Sequence, residues 1–158
     1  MRASPCFLLL WFVASTAFAD MTSDEAACAA GDPRYCNNLG VAWSEGKDGA
    51  SRVDHAKAKS FYEKACNLNN GLGCFNLGNV YRVGEGLNPD HHVAAVHFKR
   101  SCDLDEAKGC TELAILHYEG TGVERDVSRT MELLEKACRL GSAVACKNAE
   151  LVKAAHGK

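Results

Sequence analysis

Apolar side chains along most of the chain recur every three or four residues, which is the period of an α-helix that packs on one side. One such series predicts a helix over about residues 70–83, and its repeated positions are Cys74, Leu77, Gly78 and Tyr81. The Gly-x-Gly at 84–86 ends this helix, since glycine readily adopts the left-handed conformation found after a helix. No stretch shows the alternation of a strand, so the fold is predicted to be all-α.

A second helix is predicted to follow each first helix. Asp90 is a good N-cap for it, because its carboxylate can accept hydrogen bonds from the first turn. Asp54 and Asp126 have the same phase and are expected to cap the equivalent helices. The periodicity predicts an inward face of Val93, Val96, His97 and Phe98.

The pattern repeats along the chain with a period of 36 to 38 residues, which indicates a solenoid of helical hairpins. The clearest markers are eight cysteines in four pairs, each pair eight residues apart: Cys28 and Cys36, Cys66 and Cys74, Cys102 and Cys110, Cys138 and Cys146. We predict units at about 32–69, 70–105 and 106–141, and a C-terminal cap at 142–155.

The cysteine spacing predicts a turn inside each pair. Eight residues of straight helix would separate the two Cα atoms by about 12 Å, whereas a disulfide needs less than about 7 Å. We therefore expect a disulfide within each pair, joining the end of one unit to the start of the next. Zinc sites favour cysteines two to four apart, a spacing that is absent here, so we expect no metal and no cofactor.

The first 19 residues differ from the rest. Arg2 precedes an apolar run that ends in Ala17-Phe18-Ala19, which is typical of a cleaved secretory signal; a retained N-terminal anchor is the alternative. Cys6 would be removed with that signal. We expect a single mature domain over 20–158 that is periplasmic or secreted, because an even number of cysteines in a small exported protein indicates disulfides.

Charge and hydropathy narrow the range of partners. The chain has 18 basic and 20 acidic side chains and a formal charge of −2, with no basic patch that would favour nucleic acid. No segment after the signal is apolar enough to span a bilayer, so we expect no membrane contact after cleavage. We also expect a monomer.

Several segments resemble the Sel1-like repeat proteins, relatives of the tetratricopeptide class, and in particular the cysteine-rich Hcp-like branch of exported bacterial proteins. They are the helix ends "LGNVYRVGEG" and "LAILHYEGTGV", the corners "CNLNNGLGC" and "CDLDEAKGC", and the "EKAC" at 63–66 and 135–138. The resemblance implies a right-handed superhelix of αα hairpins. The last unit departs from the pattern, because Ala149 and Glu150 stand where Leu-Gly is expected.

The resemblance implies two alternative functions. One is binding of a protein or peptide on the concave face, and the other is weak β-lactamase or penicillin-binding activity. A serine nucleophile can be activated by lysine in a Ser-x-x-Lys motif. Ser44 and Lys47 form such a match, but a helix-ending glycine lies between them and the companion motifs are absent. The residues therefore favour a binding protein over an enzyme.

Candidate binding residues follow from the repeat. Asn38, Asn76 and Asn148 each lie two residues after the second cysteine of a pair, and Glu112 fills the remaining slot. In the tetratricopeptide fold an asparagine at the matching position faces the groove, where its amide can both donate to and accept from a peptide backbone. Arg82 is expected to add charge there. The alternative is that these asparagines bond to a neighbouring loop.

Overall fold

The computed structural model describes residues 15–47, 50 and 52–156, with residues 15–20 described as backbone alone. Eight helices and no strand form this part of the chain. Residues 1–14 of the predicted signal peptide, including Cys6, lie outside the described residues. Residues 15–19 of that predicted segment form the start of the first helix. The helices are α1 Ser15–Ala29, α2 Pro33–Glu45, α3 His55–Asn67, α4 Gly71–Val83, α5 His91–Asp103, α6 Ala107–Glu119, α7 Val127–Arg139 and α8 Ala143–His156.

The helices pair into hairpins that stack in chain order. α2 with α3, α4 with α5, and α6 with α7 form the first, second and third units, while α8 is the cap. Each helix packs on the next one along the chain, and α4 also contacts both α2 and α6. This arrangement confirms the predicted all-α solenoid.

The predicted capping residues define the helix ends. The side chains of Asp54, Asp90 and Asp126 accept backbone hydrogen bonds of 3.0, 3.0 and 2.8 Å in the first turns of α3, α5 and α7. Gly84 ends α4 with φ 83°, and Gly120 ends α6 with φ 74°. The left-handed backbone at these two sites favours glycine, because a Cβ would be strained there.

Four disulfides connect successive hairpins. Each runs from the end of one helix to the first turn of the next, with Cα–Cα distances between 4.5 and 4.8 Å. The chain reverses inside each pair at a residue with positive φ. Asn69 and Asp105 occupy this position in two corners, and both belong to the residue types that tolerate it best. The pairs are Cys28–Cys36, Cys66–Cys74, Cys102–Cys110 and Cys138–Cys146.

One predicted helix face is partly wrong. On α5, Phe98 is fully buried and His97 is half-buried, but Val96 is 56% exposed. Ala94 and Ala95 are buried instead. α5 packs against both α4 and α6, so small side chains take the closest contacts and allow the helices to approach. The valine is left on the outer surface.

Candidate functional site

The first helices of the units and the cap line one face of the solenoid, which we call the groove. α2, α4 and α6 contact one another in succession, and α8 lines a cavity together with α6. Three cavities open along this face. The N-terminal cavity lies between α1 and α2, the central cavity among α2, α3, α4 and α6, and the third-unit cavity among α6, α7 and α8. Their volumes are about 430, 340 and 560 Å³.

The central cavity contains three of the five predicted binding residues, Asn76, Arg82 and Glu112. They come from α4 and α6, so adjacent units build the site jointly. Phe75 and Val80 add apolar surface to the wall. This combination of an amide, a cation, an anion and apolar walls is typical of a surface that recognises a peptide.

The polar side chains of the central cavity are held in a network. Asn79 accepts hydrogen bonds of 3.2 and 3.1 Å from the Nε and a terminal nitrogen of Arg82. The Nε of Arg82 also lies 3.9 Å from a carboxylate oxygen of Glu112. These contacts orient the guanidinium in the cavity before any ligand arrives.

Asn76 makes a second cross-unit contact. Its Nδ2 donates a 2.9 Å hydrogen bond to Oδ1 of Asn37, a buried residue on α2. The partner is therefore a neighbouring helix, in contrast to the loop considered as an alternative. Because this bond uses one N–H, the carbonyl and the other N–H of Asn76 remain as groups that a ligand could engage.

The other two predicted residues lie elsewhere along the groove. Asn38 is exposed and lines the N-terminal cavity beside Met21 and Asp24. Asn148 is half-buried and lines the third-unit cavity. The structure thus spreads the five residues over three consecutive cavities on one face and does not gather them at one point.

Two residues of the site were not predicted from the sequence. Asn37 and Asn79 hold Asn76 and Arg82 in place, yet neither recurs in the repeat. The position of Asn37 is taken by Phe75 and Thr111 in the next units. A search for repeated polar residues cannot find such unique ones. Asn37 also acts on a residue 39 positions away on another helix, whereas Asn79 contacts Arg82 within its own helix.

Ser44 also lines the central cavity, but its surroundings do not activate it. Its hydroxyl donates a 2.9 Å hydrogen bond to the carbonyl of Val41 and lies 3.2 Å from the phenol oxygen of Tyr62. Burial raises the pKa of Tyr62, so this phenol stays protonated at neutral pH. Lys47 lies beyond the end of α2 and pairs with Glu45 at 2.9 Å. Neither described partner of the hydroxyl is a base.

The described residues give no support for a metal centre. The eight cysteines of the repeats are bonded to each other, so they offer no thiolate ligands. Within residues 15–47, 50 and 52–156, no group of three or more His, Cys, Asp or Glu side chains is placed to hold an ion.

These features define the class of protein: an αα-hairpin solenoid whose corners are closed by disulfides. The Sel1 repeat model matches residues 33–70, 71–106 and 107–142. Since these matches cover more than half of the chain, the protein belongs to the Sel1 repeat family.

Solved structures agree with this assignment. The Helicobacter pylori cysteine rich protein B, HcpB, is 30% identical with a TM-score of 0.68, and the alignment covers 85% of this chain and 96% of HcpB. The antigen c5321 of uropathogenic Escherichia coli has an SLR fold and a TM-score of 0.77. It is 23% identical, and the alignment covers 84% of this chain and 28% of c5321, so this similarity concerns the fold alone.

Shorter stretches match curated Helicobacter pylori proteins. A protein named putative beta-lactamase HcpD is 43% identical over 37 residues, which are 23% of this chain and 12% of HcpD. One named beta-lactamase HcpA is 43% identical over 47 residues, which are 30% of this chain and 19% of HcpA. The aligned segments therefore span less than a fifth of either relative.

Proposed function

We propose that the protein is an exported scaffold whose groove binds an extended segment of a protein or peptide. The observation that carries the proposal is the row of amide side chains at one repeat position, each beside a cavity on the same face. An extended backbone offers a donor and an acceptor at each residue, and an asparagine amide can pair with both.

The central cavity suggests a ligand of mixed charge. Arg82 is already oriented by Asn79 and suits a carboxylate, whereas Glu112 suits a basic side chain. Phe75 adds apolar contact in the same cavity. A purely acidic or purely basic segment would be repelled by one of the two charged groups.

The disulfides support a location outside the reducing cytosol, because such bonds persist in oxidising compartments. No helix in the described part of the chain is long and apolar enough to cross a bilayer. On the ground of the disulfides we propose that the protein is periplasmic or secreted, and we propose that it is a monomer. Fractionation of the native host, with size-exclusion chromatography of the purified protein, tests both points.

Selection from a peptide display library on the oxidised protein tests the groove. We expect Asn76→Ala and Asn38→Ala each to weaken the selected peptides about fivefold, the value of one hydrogen bond of about 1 kcal/mol. Arg82→Ala should have a larger effect on peptides that carry a carboxylate. Matched controls are His55→Ala and His91→Ala at the starts of α3 and α5, which should bind as the wild type.

Stability must be measured alongside, because Asn76→Ala also leaves the buried Asn37 without its partner. Only variants with unchanged helicity and melting temperature are compared. If Asn38→Ala, Asn76→Ala and Arg82→Ala all bind the selected peptides at wild-type strength, the groove is not the binding face.

A second candidate is weak β-lactam binding or hydrolysis. The names of HcpD and HcpA and the position of Ser44 in the central cavity favour it. The neutral phenol beside the hydroxyl makes it the weaker candidate. A nitrocefin assay with a Ser44→Ala control separates the two: turnover that the variant loses would establish the enzyme.

A further inference from the structure

The three units differ at one pair of facing positions. The glycine four residues after the second cysteine of a pair faces the residue four before the first cysteine of the next pair. In the first unit the two are Gly40 and Tyr62, and in the second they are Gly78 and Phe98. In the third unit the same positions hold Ala114 and Leu134.

In the first two units the aromatic ring fills the space over the glycine. A Cβ on Gly40 would lie 2.5 Å from the Tyr62 ring, and one on Gly78 would lie 2.6 Å from the Phe98 ring. Glycine is therefore required for the ring to pack there. Both rings are buried, although Tyr62 still forms part of the wall of the central cavity. The contrast with the third unit is therefore sharpest in the second unit, where Phe98 is fully buried.

In the third unit Leu134 is smaller than the ring that it replaces, and the methyl group of Ala114 does not fill the remaining space. Both line the third-unit cavity of about 560 Å³, together with Ile115, Leu151 and Val152. Its size lies within the range of about 300–1,000 Å³ typical of ligand pockets. The cavity opens on the groove, next to Asn148 of the repeated amide row.

The lining determines what the cavity can accept. The hydroxyl of Thr130 donates its single proton to the carbonyls of Ala114 and Asp126, at 3.3 and 2.8 Å, so it has no proton left to donate to a ligand. Glu119 is the one charged side chain among the described lining residues. An apolar group therefore fits the interior, and a neighbouring basic group complements the carboxylate better than an acidic one.

We propose that the third-unit cavity is the anchor site of the groove, where a peptide ligand inserts an aromatic or large aliphatic side chain next to a neutral or basic residue. The bound side chain replaces the ring that Tyr62 and Phe98 supply within their own units. Asn148 then pairs with the ligand backbone beside the anchor. This inference rests on the proposed function of the groove.

Three dipeptide probes test the anchor directly on the oxidised full-length protein. N-acetyl-Phe-Lys-amide should perturb the backbone NMR signals of Ala114, Leu134 and Leu151. N-acetyl-Ala-Lys-amide should bind at least about tenfold more weakly, because it buries no large side chain. N-acetyl-Phe-Glu-amide should bind more weakly than the lysine form. Equal affinities for the phenylalanine and alanine probes, or perturbations confined to other cavities, would overturn the proposal.

A variant that restores the pattern of the first two units provides the sharpest test. Ala114→Gly with Leu134→Phe places a ring over a glycine, as in the second unit, and should fill the cavity. We expect it to weaken the phenylalanine probe about tenfold or more. Ala114→Gly alone leaves the cavity open and is the matched reference for the glycine, so the double variant should bind the probe about tenfold or more weakly than this single variant. Binding by the double variant at wild-type strength would contradict the anchor.

A second pair of variants covers the case in which the double variant does not fold. Leu151 is 59% exposed and lines the cavity, whereas Val144 is 64% exposed on the same helix and lies outside the lining. Leu151→Ala should weaken the phenylalanine probe, and Val144→Ala should not. Equal effects of the two would overturn the proposal.

The outcomes also separate this inference from the groove function. If selected peptides depend on Asn76 and Arg82 but bind the cavity-filling variant normally, the anchor is wrong and groove binding stands. If the phenylalanine probe binds the cavity but no peptide is selected, the apolar site stands and the proposed peptide function fails.

Discussion

The second and third units are the same helical hairpin, but they differ in the side chains between their helices and on the groove surface. In the second unit, Phe98 closes the interior over Gly78, and the groove surface carries the polar network around Arg82. In the third unit, Leu134 and Ala114 leave an apolar cavity that opens on the same groove. The groove is therefore polar at its centre and apolar towards the C-terminus.

This difference separates the residues that build the repeat from those that give each unit its own surface. The caps and the disulfide corners are alike in both units, so the two hairpins fold alike. Interior positions vary without changing the backbone, because a solenoid unit contacts mainly its neighbours in the stack. The same hairpin backbone can thus have either a filled interior or an open one.

The largest expected difference in unfolding free energy comes from truncating Phe98 in the second unit and Leu134, its equivalent, in the third unit. Phe98→Ala removes a fully buried ring and should cost about 3–5 kcal/mol of unfolding free energy, whereas Leu134→Ala should cost about 2–3 kcal/mol. Leu134 already borders open space, so fewer contacts are lost there. Guanidinium unfolding with the disulfides intact measures both. Equal losses would show that the third-unit interior is as well filled as the second.

Removing a disulfide tests how strongly the two units are coupled. Replacing Cys102 and Cys110 by serine should cost about 2.5 kcal/mol from loop entropy and should split unfolding into two transitions, since this bridge joins the second unit to the third. The same change at Cys138 and Cys146 should loosen α8 alone. Calorimetry distinguishes the two patterns, and a single transition in both variants would refute the nearest-neighbour description.

Exchanging glycine and alanine at the position that faces the ring or leucine should destabilise both units, but for different reasons. Gly78→Ala forces a methyl group into the Phe98 ring and should cost about 1–3 kcal/mol through overpacking. Ala114→Gly should cost about 1 kcal/mol from helix propensity alone. Thermal unfolding monitored by circular dichroism measures both changes. A larger loss for Ala114→Gly would mean that its methyl group packs more tightly than the cavity indicates.

The smallest expected effect is a pH dependence confined to the second unit. Burial lowers the pKa of His97, with Glu63, Lys59 and Arg100 as its charged neighbours, whereas the third unit has the apolar Leu133 at the equivalent position. Because the unfolded histidine has a pKa of about 6.5, the unfolded state binds more protons than the folded state once the pH falls to that region. Stability should therefore decrease below this pH and level off below the folded pKa.

His97→Phe is the matched variant for this effect, since Phe61 occupies the same position in the first unit. Its melting temperature should fall less than that of the wild type between pH 7.5 and pH 5. An identical pH dependence in the two proteins would assign the effect to other groups.

Most of the fold could be read from local sequence. Asp90 caps its helix where the pattern predicted, and Gly84 ends the preceding one, because both effects act within a single turn of chain. The failure at Val96 has a different origin. Helical periodicity gives an apolar stripe, but how closely two helices approach decides whether alanine or valine faces inward.

The candidate site was less accessible from the sequence. The repeat pointed to Asn76 and Asn148 because they recur in phase, and their binding role stays a prediction. Asn37 and Asn79 do not recur, so their contacts with Asn76 and Arg82 had no sequence signal. The open cavity at Leu134 was equally hidden, although the substitution itself is visible in the repeat.

The sequence by itself determined the hairpin solenoid and the corners at which cysteines meet, because capping, turn formation and an eight-residue disulfide are local and recur in every unit. Only the tertiary structure decided which polar groups meet across units and which interior stays open. The first outcome depends on helices of different units, such as those that carry Asn37 and Asn76. The second depends on the two helices of one hairpin, where side-chain volume decides whether a ring closes the space, as Phe98 does over Gly78, or a cavity remains.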